Sequence, residues 1–120
     1  ARGPVIRILE KYRNDRGIYE HELVHVKQWA ALTSLGLLWV AGCYYLGHMQ
    51  YANLGIFSVG FHGLIYKLSD RYKLWSEVQA YREQAKHYAD DRRLLFAQFI
   101  ATKYRLNITT EDAYKLLTKD

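Results

Sequence analysis

Residues 18–29 read Ile18-Tyr19-Glu20-His21-Glu22-Leu23-Val24-His25-Val26-Lys27-Gln28-Trp29. Leu23, Val26, Ala30 and Thr33 recur at helical spacing, which predicts a helix from Ile18 to about Ser34. The turn signal Asn14-Asp15-Arg16-Gly17 precedes it, and Gly36 reads as its stop or a kink. On that helix His21 and His25 are one turn apart, so both imidazoles leave the same face and can meet one metal ion. Glu22 then stands beside such an ion rather than on it. In that place it is the general base of a zinc-activated hydrolysis.

Two histidines do not complete a zinc site, so a third ligand is required. The candidates are His48, His62, His87, Glu77 and Glu83. A third histidine six residues past the motif is excluded, because that position is Ala31. Glu77 is the strongest. It falls in a second predicted helix, Leu74 to about Ala89, in the apolar setting of Trp75, Val78 and Ala80. A carboxylate on an apolar face needs a partner, and zinc is one. The competing reading is a salt bridge to Arg71, Lys73 or Lys103. Glu83 lies on the polar side of that helix and reads as solvated, and the small Ala80 would let the two helices approach.

The remaining elements follow from local signals. Val5, Ile6 and Ile8 are β-branched, so Val5 to Leu9 reads as a short N-terminal strand. Asp90-Asp91 would cap a helix from Arg92 to about Tyr104, with Leu95, Phe96, Phe99 and Ile100 as its apolar stripe. Thr109 or Thr110 would start a last helix, with Glu111 and Asp112 in the first turn, where the helix dipole accepts anions. The expected fold is α+β and mostly helical, in one domain spanning residues 1–120.

The chain of 120 residues is half hydrophobic and about a quarter charged, an ordinary globular balance. The net charge of +5 is spread out, and short clusters such as Arg92-Arg93 read as solvated surface, which argues against nucleic acid. A single cysteine, Cys43, can form no internal disulfide and reads as a small buried hydrophobe. No signal peptide is visible, and the chain begins with Ala, as a processed chain or part of a longer one would. No Asp, Glu, Lys or Arg occurs between Trp29 and Tyr66. Leu32 to Met49 approaches the ~20 apolar residues of a membrane helix. The plainer expectation is a buried helix followed by Gly-rich loops packed across the cleft.

The run His21-Glu-Leu-Val-His-Val-Lys-Gln-Trp29, with Glu77-Val-Gln-Ala-Tyr81 downstream, resembles the gluzincin branch of the zincin metallopeptidases. It looks most like short bacterial and phage proteins with a His-Glu-Leu-x-His-Val-x-Gln-Trp motif helix. The resemblance covers residues 18–35 and 72–85 well and the rest loosely. It implies that His21, His25 and Glu77 hold Zn2+, that Glu22 is the catalytic base, and that the substrate is a peptide or protein. The upstream sheet of that family is cut short here to the Val5–Leu9 strand. Tyr19, Tyr81, His62 and His87 are the residue types that could donate to a developing oxyanion, Gln28 reads as a partner that orients a ligand, and Trp29 reads as core.

The expected function is a zinc-dependent metallopeptidase. Two rivals are carried with it. One is a zinc-retaining structural component, for example of a phage particle, with protein partners on the uncharged 29–66 segment. The other is a membrane-associated peptidase. A cytoplasmic or virion-associated location is expected ahead of the membrane.

Overall fold

Two helices running in opposite directions carry the site. The computed structural model describes residues 1–119. Its elements are α1 (Arg16–Leu46), α2 (Asn53–Ile56), α3 (Phe61–Leu68), α4 (Asp70–Ala85), α5 (Arg93–Lys103) and α6 (Thr110–Thr118). Short 3-10 turns occur at Glu10–Tyr12, Met49–Tyr51 and Phe57–Gly60.

The chain is therefore all-α, which corrects the α+β expectation. Val5 to Leu9 forms no strand; the only β pairing among the described residues is an isolated bridge between Arg2 and Val5. The physical reason is the lack of a partner. A β-branched run becomes a strand only when a neighbour satisfies its backbone and covers one face. Here Val5 and Leu9 are more than half exposed.

Local chemistry sets the helix ends. The Asp15 carboxylate accepts from the Ile18 amide at 3.1 Å and caps α1. Ser69 caps α4 through the Tyr72 amide at 3.2 Å, and Thr109 caps α6 through the Asp112 amide at 3.1 Å. α5 begins at Arg93 without a side-chain cap at Arg92, although Asp91 still accepts from the Arg93 amide at 3.0 Å.

α1 does not stop near Ser34. It runs through Gly36 to Leu46 and ends at Gly47, whose φ of 74° is left-handed and whose amide meets the Cys43 and Tyr44 carbonyls. Gly36 is thus not a stop. It is where the returning chain crosses: a Cβ there would overlap Ser58 Oγ and the Gly55 carbonyl, and a Cβ at Gly55 would overlap the Gly36 carbonyl. Glycine at both positions lets the backbones touch.

The expectation of a buried helix followed by loops is also corrected. Beyond Gly36 the helix is largely exposed, with Leu38 at 68 % and Tyr45 at 89 %. Residues 49–60 return along it as short helical turns rather than loops. This hairpin lengthens the molecule to 55 × 31 × 25 Å, with a radius of gyration of 17.0 Å. A compact domain of this length would have a radius near 14 Å. α1 is long and apolar enough to cross a membrane: the mean hydropathy over 18 residues is 1.4, and 11 % of that window is buried.

The core lies at the other end, where α4, α5 and α6 meet. Val78 and Tyr81 pack with Phe96, Ala97, Ile100, Ala113 and Leu117. Tyr81 stacks on Phe96 at 5.0 Å between ring centroids. That core anchors α4, and α4 in turn presents one polar face to α1.

Candidate metal centre

The polar face of α4 carries Ser76 and Glu77, 0 % and 2 % exposed. Opposite them α1 offers His21 and His25. Nε2 of His21 lies 3.5 Å from Oε2 of Glu77, and Nε2 of His25 lies 3.5 Å from Oε1 of the same carboxylate. Ligand atoms of the three residues all lie within 4.8 Å of one another. Ala80, one turn on from Glu77, is fully buried.

Donor chemistry and spacing both fit zinc. Ligand atoms at the corners of a tetrahedron with bonds of ~2.0–2.1 Å stand about 3.4 Å apart, close to the two 3.5 Å separations. Oε2 of Glu77 is buried and has no hydrogen-bond partner among the described residues, as is Nδ1 of His21. A buried carboxylate oxygen without a donor is costly unless a cation meets it. The salt bridge to Arg71, Lys73 or Lys103 is not formed; the groups facing Glu77 are imidazoles and a phenol.

Hydrogen bonds behind His25 fix its ring in the form a metal would need. Its Nδ1 lies 3.1 Å from Gln28 Oε1 and 3.1 Å from Ser76 Oγ. The Ser76 hydroxyl donates to Gln28 Oε1 at 2.6 Å, so both of these oxygens are left to accept from an Nδ1–H. That tautomer leaves the Nε2 lone pair aimed at Glu77. Burial holds the His25 pKa below its ordinary value, against the pull of Glu77, and so keeps the ring neutral. Burial would raise the Glu77 carboxyl, but nearby His21 and His25 and the Tyr66 hydroxyl outweigh it and hold the acid below its usual range. A neutral imidazole and an ionised carboxylate are the forms that bind metal.

A cleft of about 720 Å³ opens onto this cluster, lined by Glu22, Trp29, residues 1–3, His62, Tyr66 and Tyr104 among others. That size suits a ligand site. Glu22 stands on the wall beside the cluster rather than in it, and the backbone nitrogen of Ala1 lies against its carboxylate. Trp29 is not core: its indole donates to the Val59 carbonyl at 2.8 Å at the cleft edge.

The other predicted residues fall elsewhere or play different parts. Of the four oxyanion candidates, His62 reaches the cleft, where its Nδ1 lies 2.8 Å from the Tyr72 hydroxyl. Tyr81 packs edge-on against His21 and hydrogen-bonds Tyr104 at 3.0 Å, its hydroxyl pushed up to about 12 by burial. Tyr19 is exposed beside Arg16. His87 pairs with Glu83 at 3.8 Å, away from the cleft, and His48 is exposed at the hairpin tip. Glu83 is not simply solvated: it also holds Lys86 at 2.7 Å and approaches Glu20.

Two residues escaped the sequence reading. Ser76 orients Gln28 and His25, and Tyr66 donates its hydroxyl to Glu77 Oε1. Ser76 was detectable as the small polar neighbour of Glu77 inside an apolar helix segment. Tyr66 had no such signal, because it arrives on α3 from outside both motif helices. No protein-family model, curated protein or solved structure matches the chain.

Proposed function

We propose that this chain is a zinc-dependent metallopeptidase. The observation that carries the reading is the convergence of His21, His25 and Glu77 on one buried point, with Glu22 beside it on the wall of an open cleft. The gluzincin-like pattern of the motif helix agrees with that arrangement. When bound, zinc supplies Lewis acidity toward a water and toward the scissile carbonyl.

The chain's own groups account for the rest. Glu22 takes the proton from the attacking water and returns it to the leaving amine. Gln28 and Ser76 hold the His25 ring in place. His62 is the cleft residue available to donate to the developing oxyanion. There is no strand among the described residues, so a substrate backbone would be held by cleft side chains rather than along a sheet edge.

Metal analysis of the purified protein tests the centre: one zinc per chain is expected, and His21→Ala should abolish it. Peptide hydrolysis tests the enzyme. Glu22→Gln should keep zinc and lose cleavage; equal cleavage by both proteins would refute the assigned base. A second reading, a zinc-holding assembly component without turnover, draws on the exposed apolar hairpin. It predicts stoichiometric zinc and no cleavage in the unmodified protein.

A further inference from the structure

The hairpin formed by the second half of α1 and residues 47–60 is exposed on both legs. Leu37, Leu38, Trp39, Tyr44, Tyr45 and Leu46 are each at least half exposed on the outgoing leg. Successive helix positions differ by ~100°, so these residues wrap most of the circumference rather than marking one face. Leu54, Ile56, Phe57 and Val59 expose the returning leg equally. A protein partner covers one face and keeps a polar rim; a surface apolar around both legs and free of any charge calls for a solvent that surrounds it.

Two further observations point to lipid. First, the end of α1 and the Trp39 and Ser58 side chains find their hydrogen-bond partners inside the hairpin, as groups kept from water require, while the Tyr44 and Tyr45 hydroxyls stay exposed. The Trp39 indole donates to the Tyr51 carbonyl at 2.9 Å, and the Ser58 hydroxyl lies 3.4 Å from the Thr33 carbonyl. The Gly47 and His48 amides close the end of α1 on the Tyr44 and Cys43 carbonyls. Second, cations stand at its base. Lys67 and Arg2 border the cleft next to Trp29 and Val59, and Lys73 lies over the Tyr66 ring at 5.5 Å. These three are placed to meet anionic headgroups.

Length sets the depth. From Leu35 to Leu46 the helix advances about 17 Å, close to one leaflet of a ~30 Å hydrocarbon core. Both legs return to the same side. The tip carries His48 and Gln50, which resist burial at the midplane, so the hairpin enters obliquely. We infer that residues 35–59 form a monotopic anchor that inserts into one leaflet of an anionic bilayer and sets the His21/His25/Glu77 cleft at the headgroup level. The inference does not rest on metal or catalysis.

Flotation with vesicles of phosphatidylcholine and phosphatidylglycerol (3:1) tests it. The protein should float with these vesicles, less with pure phosphatidylcholine, and less in high salt. Leu38→Glu with Tyr45→Glu changes only exposed side chains and should lower partitioning about fiftyfold or more, with an unchanged circular dichroism spectrum and melting temperature. Lys67→Glu with Lys73→Glu should remove the preference for anionic lipid. Lipids brominated on the acyl chain should quench Trp39 but not Trp75, read in variants that retain one tryptophan. Failure of the unmodified protein to float would overturn the proposal. So would a lipid-free dimer in sedimentation that Leu38→Glu with Tyr45→Glu dissolves, because the hairpin would then cover a second copy.

Discussion

Replacing Glu77 with Gln separates a metal ligand from a structural ion pair, because only the ligand reading makes the loss of stability depend on zinc. The change keeps the volume of a side chain that is 2 % exposed and removes its charge. Structural zinc sites release roughly 10–16 kcal/mol over four ligands, so one ligand carries about 2.5–4 kcal/mol. Zinc affinity should therefore fall by about 10²–10³. At a free zinc concentration 100 times the unmodified dissociation constant, the unmodified protein gains about 2.7 kcal/mol of stability and the variant well under 1. For a chain of this size that difference is a melting shift of about 10 °C.

The zinc-free protein should behave otherwise. His21, His25 and the Tyr66 hydroxyl together outweigh the burial of Glu77 and hold its acid below the usual range, so neutralising it should cost a modest amount of stability that does not depend on zinc. Zinc titration against a competing chelator, with calorimetry in chelator and in zinc, reads both quantities. Zinc binding within threefold of the unmodified protein would refute the ligand assignment. A loss of more than about 2 kcal/mol in the zinc-free variant would show instead that Glu77 is held by protonated histidines.

Other expectations follow from the same geometry. Ser76→Ala removes the hydroxyl that orients Gln28 and His25, so zinc affinity should fall about 10- to 100-fold with helix content unchanged in circular dichroism. Gly36→Ala gains about 1 kcal/mol of helix propensity but drives a Cβ into Ser58 and the Gly55 backbone; a net loss of about 1–3 kcal/mol is expected in thermal melts. The zinc-free protein should be acid-sensitive. The His25 pKa is lowered from 6.5, so between that folded value and 6.5 the unfolded chain binds more protons and stability rises with pH. Glu77 is lowered from 4.5, so its contribution is full above 4.5 and is lost as pH falls through the folded value. Melts in chelator from pH 7.5 to 4, as a generic titration range, should therefore decline steadily, and a flat profile would contradict both assignments.

The motif helix and the pairing of its two histidines were legible because they depend on spacing alone. A four-residue interval on a helix puts two rings on one face whatever else the chain does. The cap at Thr109 was legible for a similar reason, since a side chain closes onto an amide three residues away; Asp15, read only as part of a turn, caps α1 in the same way. Glu77 was readable as a carboxylate in an apolar segment that needed a partner. Its meeting with His21 and His25 was not, because that depends on how α4 packs against α1.

Only tertiary structure decided the errors. The β-branched run at Val5 found no neighbouring strand, and pairing is a property of two segments rather than one. Gly36 looks locally like a helix breaker, yet close packing against Gly55 and Ser58 gives its missing side chain a use and carries the helix on. The uncharged block read as buried because apolar composition normally means a core. In this chain the core is completed by α4, α5 and α6 at the far end, and the block stands outside it. Spacing along one helix thus determined the histidine pair. The packing of α4 on α1 decided that Glu77 meets the histidine pair, and the surplus of apolar surface beyond that contact decided which part of the molecule was left uncovered.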